Sequence, residues 1–344
     1  MNSAMLSIEK PLVNIIMPVY NAKAYVADAI MSIIGQSYKN IRLIIIDDGS
    51  KDGSGAICDR IASEDDRVEV YHQENHGLCY ARNQGLEKIG GGYVAFADHD
   101  DIYLPGSIET LVRVAQDNDI DIVKGTYLGE ILYNNGKSRV YAAKMPSCIL
   151  GLDELVNRYS IFNYTIRAMW NGMYNSEIIK VHNIRFDESL KAGAEDYKFN
   201  LTYLKYVNRI GLTESELYKH YARENQSASV GYNENRQKGI IADYHTEVAL
   251  LKELQITPKT YVEHQLWYFY MLVHEYCFAD TPLNQREIVI RLHAFICQME
   301  NFKKVGIRDR ACLFKKNPKD MLKWTAMQMK LSGALFKHFK LKHG

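Results

Sequence analysis

The stretch Tyr93-Val-Ala-Phe-Ala-Asp-His-Asp-Asp-Ile-Tyr-Leu-Pro105 governs the interpretation of the whole chain. Its apolar first part leads directly into Asp98, Asp100 and Asp101. Three carboxylates at the end of a buried strand would repel one another and lose hydration, unless a cation or hydrogen-bond donors neutralise them. A Mg²⁺ or Mn²⁺ site is one interpretation, because both ions prefer oxygen ligands. An exposed acidic turn is the other.

The segments around this stretch alternate between strand and helix patterns. Strands are predicted at Leu12–Met17, Ile41–Ile46, Val68–His72 and Tyr93–Ala97, and helices at 22–36, 54–63 and 78–88. Continuous apolar runs are typical of parallel strands that are buried on both faces. The alternation predicts an α/β fold in which ligands bind beyond the carboxyl ends of the strands.

Polar clusters follow three of these strands, at 18–21, 47–48 and 98–101. Because carboxyl ends of parallel strands meet at one edge of a sheet, one crevice could contain all three clusters. Strand ends also need polar turns, which would explain each cluster singly but not the aspartates at two of them.

The second half of the chain changes character. A helix at 107–116 and a strand at 122–126 are followed by a predicted hairpin at 131–141, a short helix at 151–161, an aromatic-rich segment at 164–186 and a helix at 196–207. Helical patterns then cover 238–254, 258–278 and 284–300. We expect these last helices to form a separate region.

Composition excludes several classes of protein. The 344 residues are 47% hydrophobic, which is enough for a sizeable core. The chain has no apolar run of about 18 residues and no signal-peptide pattern at its start, which predicts a protein that is neither secreted nor membrane-spanning. The six cysteines form no CxxC pair, so we expect free thiols in a reducing cytoplasm.

Charge is distributed unevenly. Residues 303–344 contain twelve Lys or Arg and two Asp, although the whole chain carries only +1. The pattern at Lys319–Lys342 suits a basic amphipathic helix attached peripherally to an anionic membrane at its cytoplasmic face. A helix packed on the protein body is the alternative. Nucleic acid is not an expected partner, because no nucleic-acid motif accompanies the charge.

The motifs, taken together, resemble those of the family 2 inverting glycosyltransferases. The matching segments are Val13–Asn21, Ile44–Ser50, Asn75–Gly85 around Arg82, Asp98–Asp101 and Glu195–Asp196. The resemblance covers about residues 12–230, and the order and spacing of five motifs make it specific.

This resemblance implies a GT-A fold, a mostly parallel mixed sheet with helices on both faces. The implied domain covers 1–230, with nucleotide binding at about 10–127 and acceptor binding at about 128–230. A helical region at 231–344 with a basic tail at about 315–344 completes the chain. The implied chemistry is metal-dependent transfer, with Mn²⁺ or Mg²⁺, from a nucleotide-sugar donor, commonly a UDP-sugar. A glycan or lipid-linked glycan in surface polysaccharide synthesis is the implied acceptor.

The resemblance also assigns roles to residues of the crevice. Pro18 and Tyr20 match positions that line the nucleoside pocket, and Asp48 matches the aspartate that binds the base. Asp98 matches the residue that faces the ribose and the metal, and Asp100 matches the one that holds the metal on the diphosphate. Asp47 is a turn residue beside Asp48, Asp101 binds a donor hydroxyl or braces the loop, and we assign His99 no role.

Several other residues that the resemblance indicates have two possible roles each. Asp196 matches the catalytic base, which takes the proton of the acceptor hydroxyl, while Glu195 binds the acceptor or caps its helix. Arg82 reaches a phosphate or donor hydroxyl, or forms a salt bridge within the protein, for example with Asp48. His220 is either a further metal ligand or a packed, hydrogen-bonded histidine. Trp170 and Tyr174 are candidates for sugar stacking or for core packing.

Three other functions are alternatives to glycosyl transfer. A sugar nucleotidyltransferase would need a Gly-rich, basic phosphate loop after the first strand, where Pro18–Asn21 stands instead. A NAD-binding domain is excluded similarly, because Gly53–Cys58 lacks the third glycine and follows the wrong strand. A non-catalytic scaffold is the third possibility, and the presence of all the expected acids argues against it.

Overall fold

A computed structural model describes residues 10–190, 194–223, 233–255, 258–276 and 282–299. The chain divides into two compact units. The first comprises Met1–Leu152, Tyr164–Glu188 and Tyr206–Arg223, and the second comprises Asp153–Asn163, Ser189–Lys205 and Glu224–Gly344. The predicted basic tail at 315–344 lies outside the described residues, and the predicted boundary at 230 remains a prediction.

The described elements are numbered in chain order. The strands are β1 (Val13–Val19), β2 (Ile41–Asp47), β3 (Val68–His72), β4 (Tyr93–Phe96), β5 (Ile102–Tyr103), β6 (Ile122–Leu132), β7 (Ser138–Ala143), β8 (Cys148–Leu150), β9 (Gly172–Asn175) and β10 (Ile210–Arg223). The helices are α1 (Val26–Ile34), α2 (Ser54–Ala62), α3 (Leu78–Leu86), α4 (Ser107–Asn118), α5 (Leu152–Asn157), α6 (Tyr159–Arg167), α7 (Ser176–Val181), α8 (Glu195–Leu204), α9 (Glu234–Glu253), α10 (Pro258–Tyr276) and α11 (Gln285–Gln298).

One mixed sheet forms the first unit. Its strand order is β3-β2-β1-β4-β9-β6-β10-β5, with β7 paired to β6 and β8 paired to β10. Strands β1, β2, β3, β4, β6 and β10 run in one direction, and β5, β7, β8 and β9 run in the other. The predicted α/β class is therefore confirmed.

Helices cover both faces of this sheet. On one face, alternate residues of β1 and β2, including Ile15 and Leu43, share a core with Ile30 of α1 and Leu111 of α4. On the other face, Ile44 and Ile46 of β2 pack with Ala81 of α3. Burial on both faces explains why the strands are continuous apolar runs.

Several predicted boundaries need correction. The strand predicted at 122–126 continues to Leu132, so that β6 and β7 form one longer hairpin around Gly136. The single helix predicted at 151–161 is two helices, α5 and α6. The short elements β5, β8, β9 and α7 were not predicted, because two to six residues carry too little periodicity.

The described part of the second unit is helical. The long helices α9, α10 and α11 lie close to the predicted positions. Their buried apolar residues include Leu251, Phe269, Leu272, Leu292 and Phe295. Among the described residues, no helix is long and apolar enough to cross a membrane.

Gly92, directly before β4, should be essential for stability. Its φ is +85°, and a Cβ atom there would lie 2.2 Å from the carbonyl oxygen of Leu12. We expect Gly92→Ala to lower the free energy of unfolding by about 3 kcal/mol. A Cβ atom at Gly91 would meet nothing within 4 Å, so Gly91→Ala should change it by less than about 0.5 kcal/mol. Equal urea midpoints for the two variants would contradict this account of the turn.

Candidate active site

The three polar clusters lie side by side at one edge of the sheet. Val19 is paired with Asp47, and Ile16 with Phe96, in parallel register. The backbone NH of Asp48 donates to Val19 O over 2.8 Å, which extends the β1–β2 pairing into the turn. The predicted common edge is therefore confirmed within the first unit.

Asp48 organises the loop that follows β3. Its buried carboxylate accepts hydrogen bonds from Gln73 Nε2 (2.7 Å), His76 N (3.0 Å) and Gly77 N (2.8 Å). The side chain thus fixes the start of α3 at Gly77. A contact between Asp48 and a nucleotide base remains a prediction.

Asp47, which we expected to be a turn residue, is the last residue of β2 and braces the turn that follows. Its carboxylate accepts a hydrogen bond from Ser50 N (3.1 Å) and contacts His72 Nδ1 (2.8 Å), while His72 Nε2 lies 2.9 Å from Asp59 Oδ1. The imidazole ring therefore bridges two carboxylates. The hydrogen bonds to Asp47 and then Asp59 raise the pKa of His72 above its ordinary value.

Arg82 forms a salt bridge, but with Asp98 instead of Asp48. Its Nη2 atom donates to Asp98 Oδ1 over 3.0 Å, and the guanidinium group lies over the ring of Phe186. Arg82 is 2% exposed, whereas the Asp98 side chain is 27% exposed. The buried arginine thus holds an aspartate that still reaches solvent. The backbone NH of Asp98 also donates to the hydroxyl oxygen of Tyr218 over 3.0 Å.

Asp100 is paired with Arg223, at the end of β10. Arg223 Nη1 donates to Asp100 Oδ2 over 2.5 Å, and Nη2 donates to Asp100 O over 3.1 Å. The guanidinium carbon lies 4.0 Å from the ring centroid of Tyr25. The Asp100 side chain is 28% exposed, so its carboxylate remains accessible from solvent.

Asp101 is buried and bound to β10. Its carboxylate accepts a hydrogen bond from Tyr221 N (2.8 Å) and contacts His220 Nδ1 (2.9 Å). Burial raises the pKa of Asp101 to about 6, and the hydrogen bond and charge of His220 oppose that rise. Burial lowers the pKa of His220, but Asp101 outweighs it, so the net shift is upward. Of the two predicted roles of Asp101, bracing the loop has direct support.

His220 is a packed, hydrogen-bonded histidine. Its ring stacks on Trp170 with centroids 5.1 Å apart, and Trp170 stacks in turn on Tyr218 at 4.7 Å. Because Asp101 occupies Nδ1, only Nε2 remains for a metal ion. Ligation by His220 stays a prediction.

The two aromatic candidates for sugar stacking are core residues. Trp170 is 7% exposed, and its ring also meets Tyr127 edge to face at 4.6 Å. Tyr174 is fully buried, and its hydroxyl oxygen accepts a hydrogen bond from buried Lys124 Nζ over 2.6 Å. Core packing is the interpretation that the structure supports for both.

The predicted nucleoside-pocket residues differ in exposure. Pro18 is buried within β1, while Tyr20 directly follows the strand and is 45% exposed. His99, to which we assigned no role, lies with Nδ1 3.2 Å from Pro18 O. His99 thus connects the acidic loop to the first polar cluster.

Glu195 and Asp196 begin helix α8 in the second unit. The helix starts one residue earlier than predicted and ends at Leu204 instead of 207. Both acids lie in its first turn, where carboxylates are favoured by the helix dipole. The structure thus places Asp196 at a helix N-terminus, and its role as base stays a prediction.

The carboxylates of Asp98 and Asp100 fit a hard divalent cation. Both are oxygen ligands with partial exposure to solvent, and Mg²⁺ commonly uses one or two carboxylates together with water and phosphate oxygens. No group of three or more His, Cys, Asp and Glu side chains in the described part of the chain forms a ready-made metal site. Metal binding through these residues would therefore draw its further oxygen ligands from water and from the substrate.

Sequence reasoning missed two partners of the acidic loop. Tyr218 and Arg223 flank His220 in the sequence, and only His220 was predicted to have a role in the site. Both face the same loop as His220 because β10 is antiparallel to β5, with Tyr218 opposite Tyr103. Pairing of β10 with the segment directly after Asp101 would have been the signal, but β5 is only two residues long.

Comparison with known proteins identifies the class of protein. A sequence model of glycosyl transferase family 2 matches residues 14–180. A glycosyltransferase of Haemophilus influenzae is 34% identical over 213 residues, which are 62% of this chain and 77% of that protein. Glycosyltransferase GlyG of Streptococcus pneumoniae is 38% identical over 154 residues, but these cover 43% of this chain and 50% of GlyG.

The chain belongs to glycosyl transferase family 2. Its fold is similar to that of S. aureus TarS 1–349 in complex with UDP-GlcNAc, with a TM-score of 0.65 and 17% sequence identity. The alignment covers 94% of this chain and 92% of the TarS chain. The predicted GT-A fold is thereby confirmed, and the enzyme is a glycosyltransferase.

The bridge from His72 to Asp47 and Asp59 should make stability depend on pH. Because the pKa of His72 is raised in the folded state, its stabilisation is complete below the unfolded pKa of about 6.5 and is lost as pH rises through the folded pKa. We expect the difference in urea midpoint between the wild type and His72→Gln to shrink as pH rises above about 6.5. A difference that stays constant with pH would contradict the charged bridge.

Proposed function

We propose that this glycosyltransferase moves a sugar from a UDP-sugar to a hydroxyl group of a glycan or lipid-linked glycan, with inversion at the anomeric carbon. The observation that carries the proposal is the common strand edge, where the accessible carboxylates of Asp98 and Asp100 follow β4 beside exposed Tyr20. Such an edge is where α/β sheets bind ligands.

Both the matched site residues and a protein of similar fold support a UDP-sugar as the donor. Asp48, Asp98 and Asp100 match the residues that bind nucleotide, ribose and metal in the family. TarS, which has a similar fold, was solved with UDP-GlcNAc. We therefore favour a UDP-linked hexose or N-acetylhexosamine as the donor.

A divalent cation, Mn²⁺ or Mg²⁺, on Asp98 and Asp100 would supply positive charge to the departing diphosphate. Arg223 donates a hydrogen bond to Oδ2 of Asp100. When the cation binds, this hydrogen bond would have to break, or Arg223 and the cation would have to bind the same carboxylate. Arg82 keeps Asp98 oriented from the buried side. His220 is held by Asp101, with Nε2 left as a candidate further ligand.

Asp196 is the proposed general base. Its carboxylate takes the proton of the acceptor hydroxyl while that oxygen bonds to the anomeric carbon. The bond from this carbon to the diphosphate oxygen breaks on the opposite face, and UDP leaves with the electron pair. A single displacement of this kind inverts the anomeric centre, and general-base assistance contributes about 10²- to 10⁴-fold in rate.

The cellular role follows from the resemblance and from the charge pattern. Surface polysaccharide synthesis at the inner face of the cell membrane would bring a lipid-linked acceptor to the enzyme. The basic segment at 315–344 would attach the enzyme peripherally to the anionic lipid surface there.

Release of UDP tests the proposal. The protein is incubated with Mn²⁺ and, separately, UDP-GlcNAc, UDP-glucose and UDP-galactose, and we expect UDP release from at least one. Asp196→Asn should lower kcat by about 10²- to 10⁴-fold and leave the thermal shift with UDP unchanged. Asp153→Asn, an exposed first-turn acid of α5, is the matched control and should keep full activity.

Two results would contradict the proposal. If no UDP-sugar releases UDP and UDP does not raise the melting temperature, a non-catalytic scaffold explains the chain better. If Asp196→Asn loses UDP binding as well as turnover, Asp196 is a structural residue instead of the base.

A further inference from the structure

The second unit contains a buried carboxylate on which three donors converge. Glu247 of α9 is 1% exposed. Its Oε2 atom accepts hydrogen bonds from Tyr197 Oη (3.0 Å) and Tyr268 Oη (2.5 Å), and its Oε1 atom is bonded to His264 Nδ1. Glu247 thereby connects α8, α9 and α10.

Burial of this network costs free energy, because its polar side chains lose their hydration. His264 is also 1% exposed, so both members of the pair have lost their hydration. A well-packed apolar core is commonly as stable as a buried ion pair, or more so. Packing alone therefore does not account for these buried polar groups. Their hydrogen bonds have defined directions, which offers a reason for their presence.

Further acids surround the same region. Asp243, one turn before Glu247 on α9, is 3% exposed. Burial raises the pKa of Asp243 well above its ordinary value, and the charges of Glu247, Glu195 and Asp196 raise it further. The first turn of α8 therefore lies within electrostatic range of Asp243 and Glu247.

The residue at the N-cap position of α8 cannot cap the helix with its own side chain. This N-cap residue is Ala194, at φ 76°, whose methyl side chain makes no capping hydrogen bond. Tyr197 directly follows Asp196 in the sequence, and its hydroxyl group is bonded to Glu247. The hydrogen bond between Tyr197 and Glu247 therefore anchors α8 to α9 at the residue next to Asp196.

We propose that Glu247 is a positioning residue, whose bond to Tyr197 sets the orientation of the first turn of α8 and with it the carboxylate of Asp196. The inference rests on the proposed function, in which Asp196 is the base. A displacement of about 1 Å in a catalytic group can lower the rate 100-fold. A hydrogen bond that holds the residue next to the base can therefore offset the free energy lost when Glu247 is buried.

Two phenylalanine substitutions separate positioning from mere stability. Tyr197→Phe and Tyr268→Phe each remove one hydroxyl group that donates to the same oxygen of Glu247. Both tyrosines are buried, at 5% and 1% exposure, and phenylalanine preserves their shape. Only Tyr197 belongs to the helix of Asp196, so the pair forms a matched comparison.

The experiment measures UDP release from the best of the three UDP-sugars, with water as acceptor, and hydrogen–deuterium exchange of the amides of 196–200. For Tyr197→Phe we expect kcat to fall roughly 10- to 100-fold, KM for the UDP-sugar to stay within about twofold, and exchange to accelerate. For Tyr268→Phe, kcat should change by no more than about twofold and exchange in 196–200 should stay as in the wild type.

Equal losses of kcat in the two variants, or an unchanged kcat in Tyr197→Phe, would overturn the proposal. Asp196→Asn, measured alongside, separates the two claims. If that variant retains turnover, the base assignment fails, while the exchange of 196–200 still decides whether Glu247 anchors the helix.

Discussion

Neutralisation of the acidic loop after β4 is the constraint on which the site depends. Each of its three carboxylates has a partner of its own. Asp98 is paired with Arg82, Asp100 with Arg223, and Asp101 with His220. Since unpaired carboxylates at a strand end would repel one another, the loop can exist only where other elements deliver these cationic or hydrogen-bonding groups.

The three partners come from two elements, and the three carboxylates of the loop differ in their roles. Helix α3 supplies Arg82, while β10 supplies His220 and Arg223. Asp101 is buried and therefore fastens the loop to β10, whereas Asp98 and Asp100 keep 27% and 28% of their side chains exposed. One carboxylate thus serves the fold, and two remain available to a ligand.

The sequence predicted the sheet and its polar edge because continuous apolar runs and polar strand ends are local signals. It could not predict the partners, since Asp101 and His220 are 119 residues apart and meet through the pairing of β5 with β10. Trp170 stayed ambiguous for a related reason. An aromatic ring suits a core or a sugar equally well, and only its stacking on Tyr218 and His220 decides between them.

The central claim is that the accessible carboxylates of the acidic loop hold a cation on the donor diphosphate. Calorimetric titration of UDP in the presence of Mn²⁺ and in the presence of EDTA tests it directly. We expect Mn²⁺ to tighten UDP binding by roughly tenfold or more in the wild type and to have little effect in Asp100→Asn. Equal UDP affinity with Mn²⁺ and with EDTA in the wild type would contradict the account.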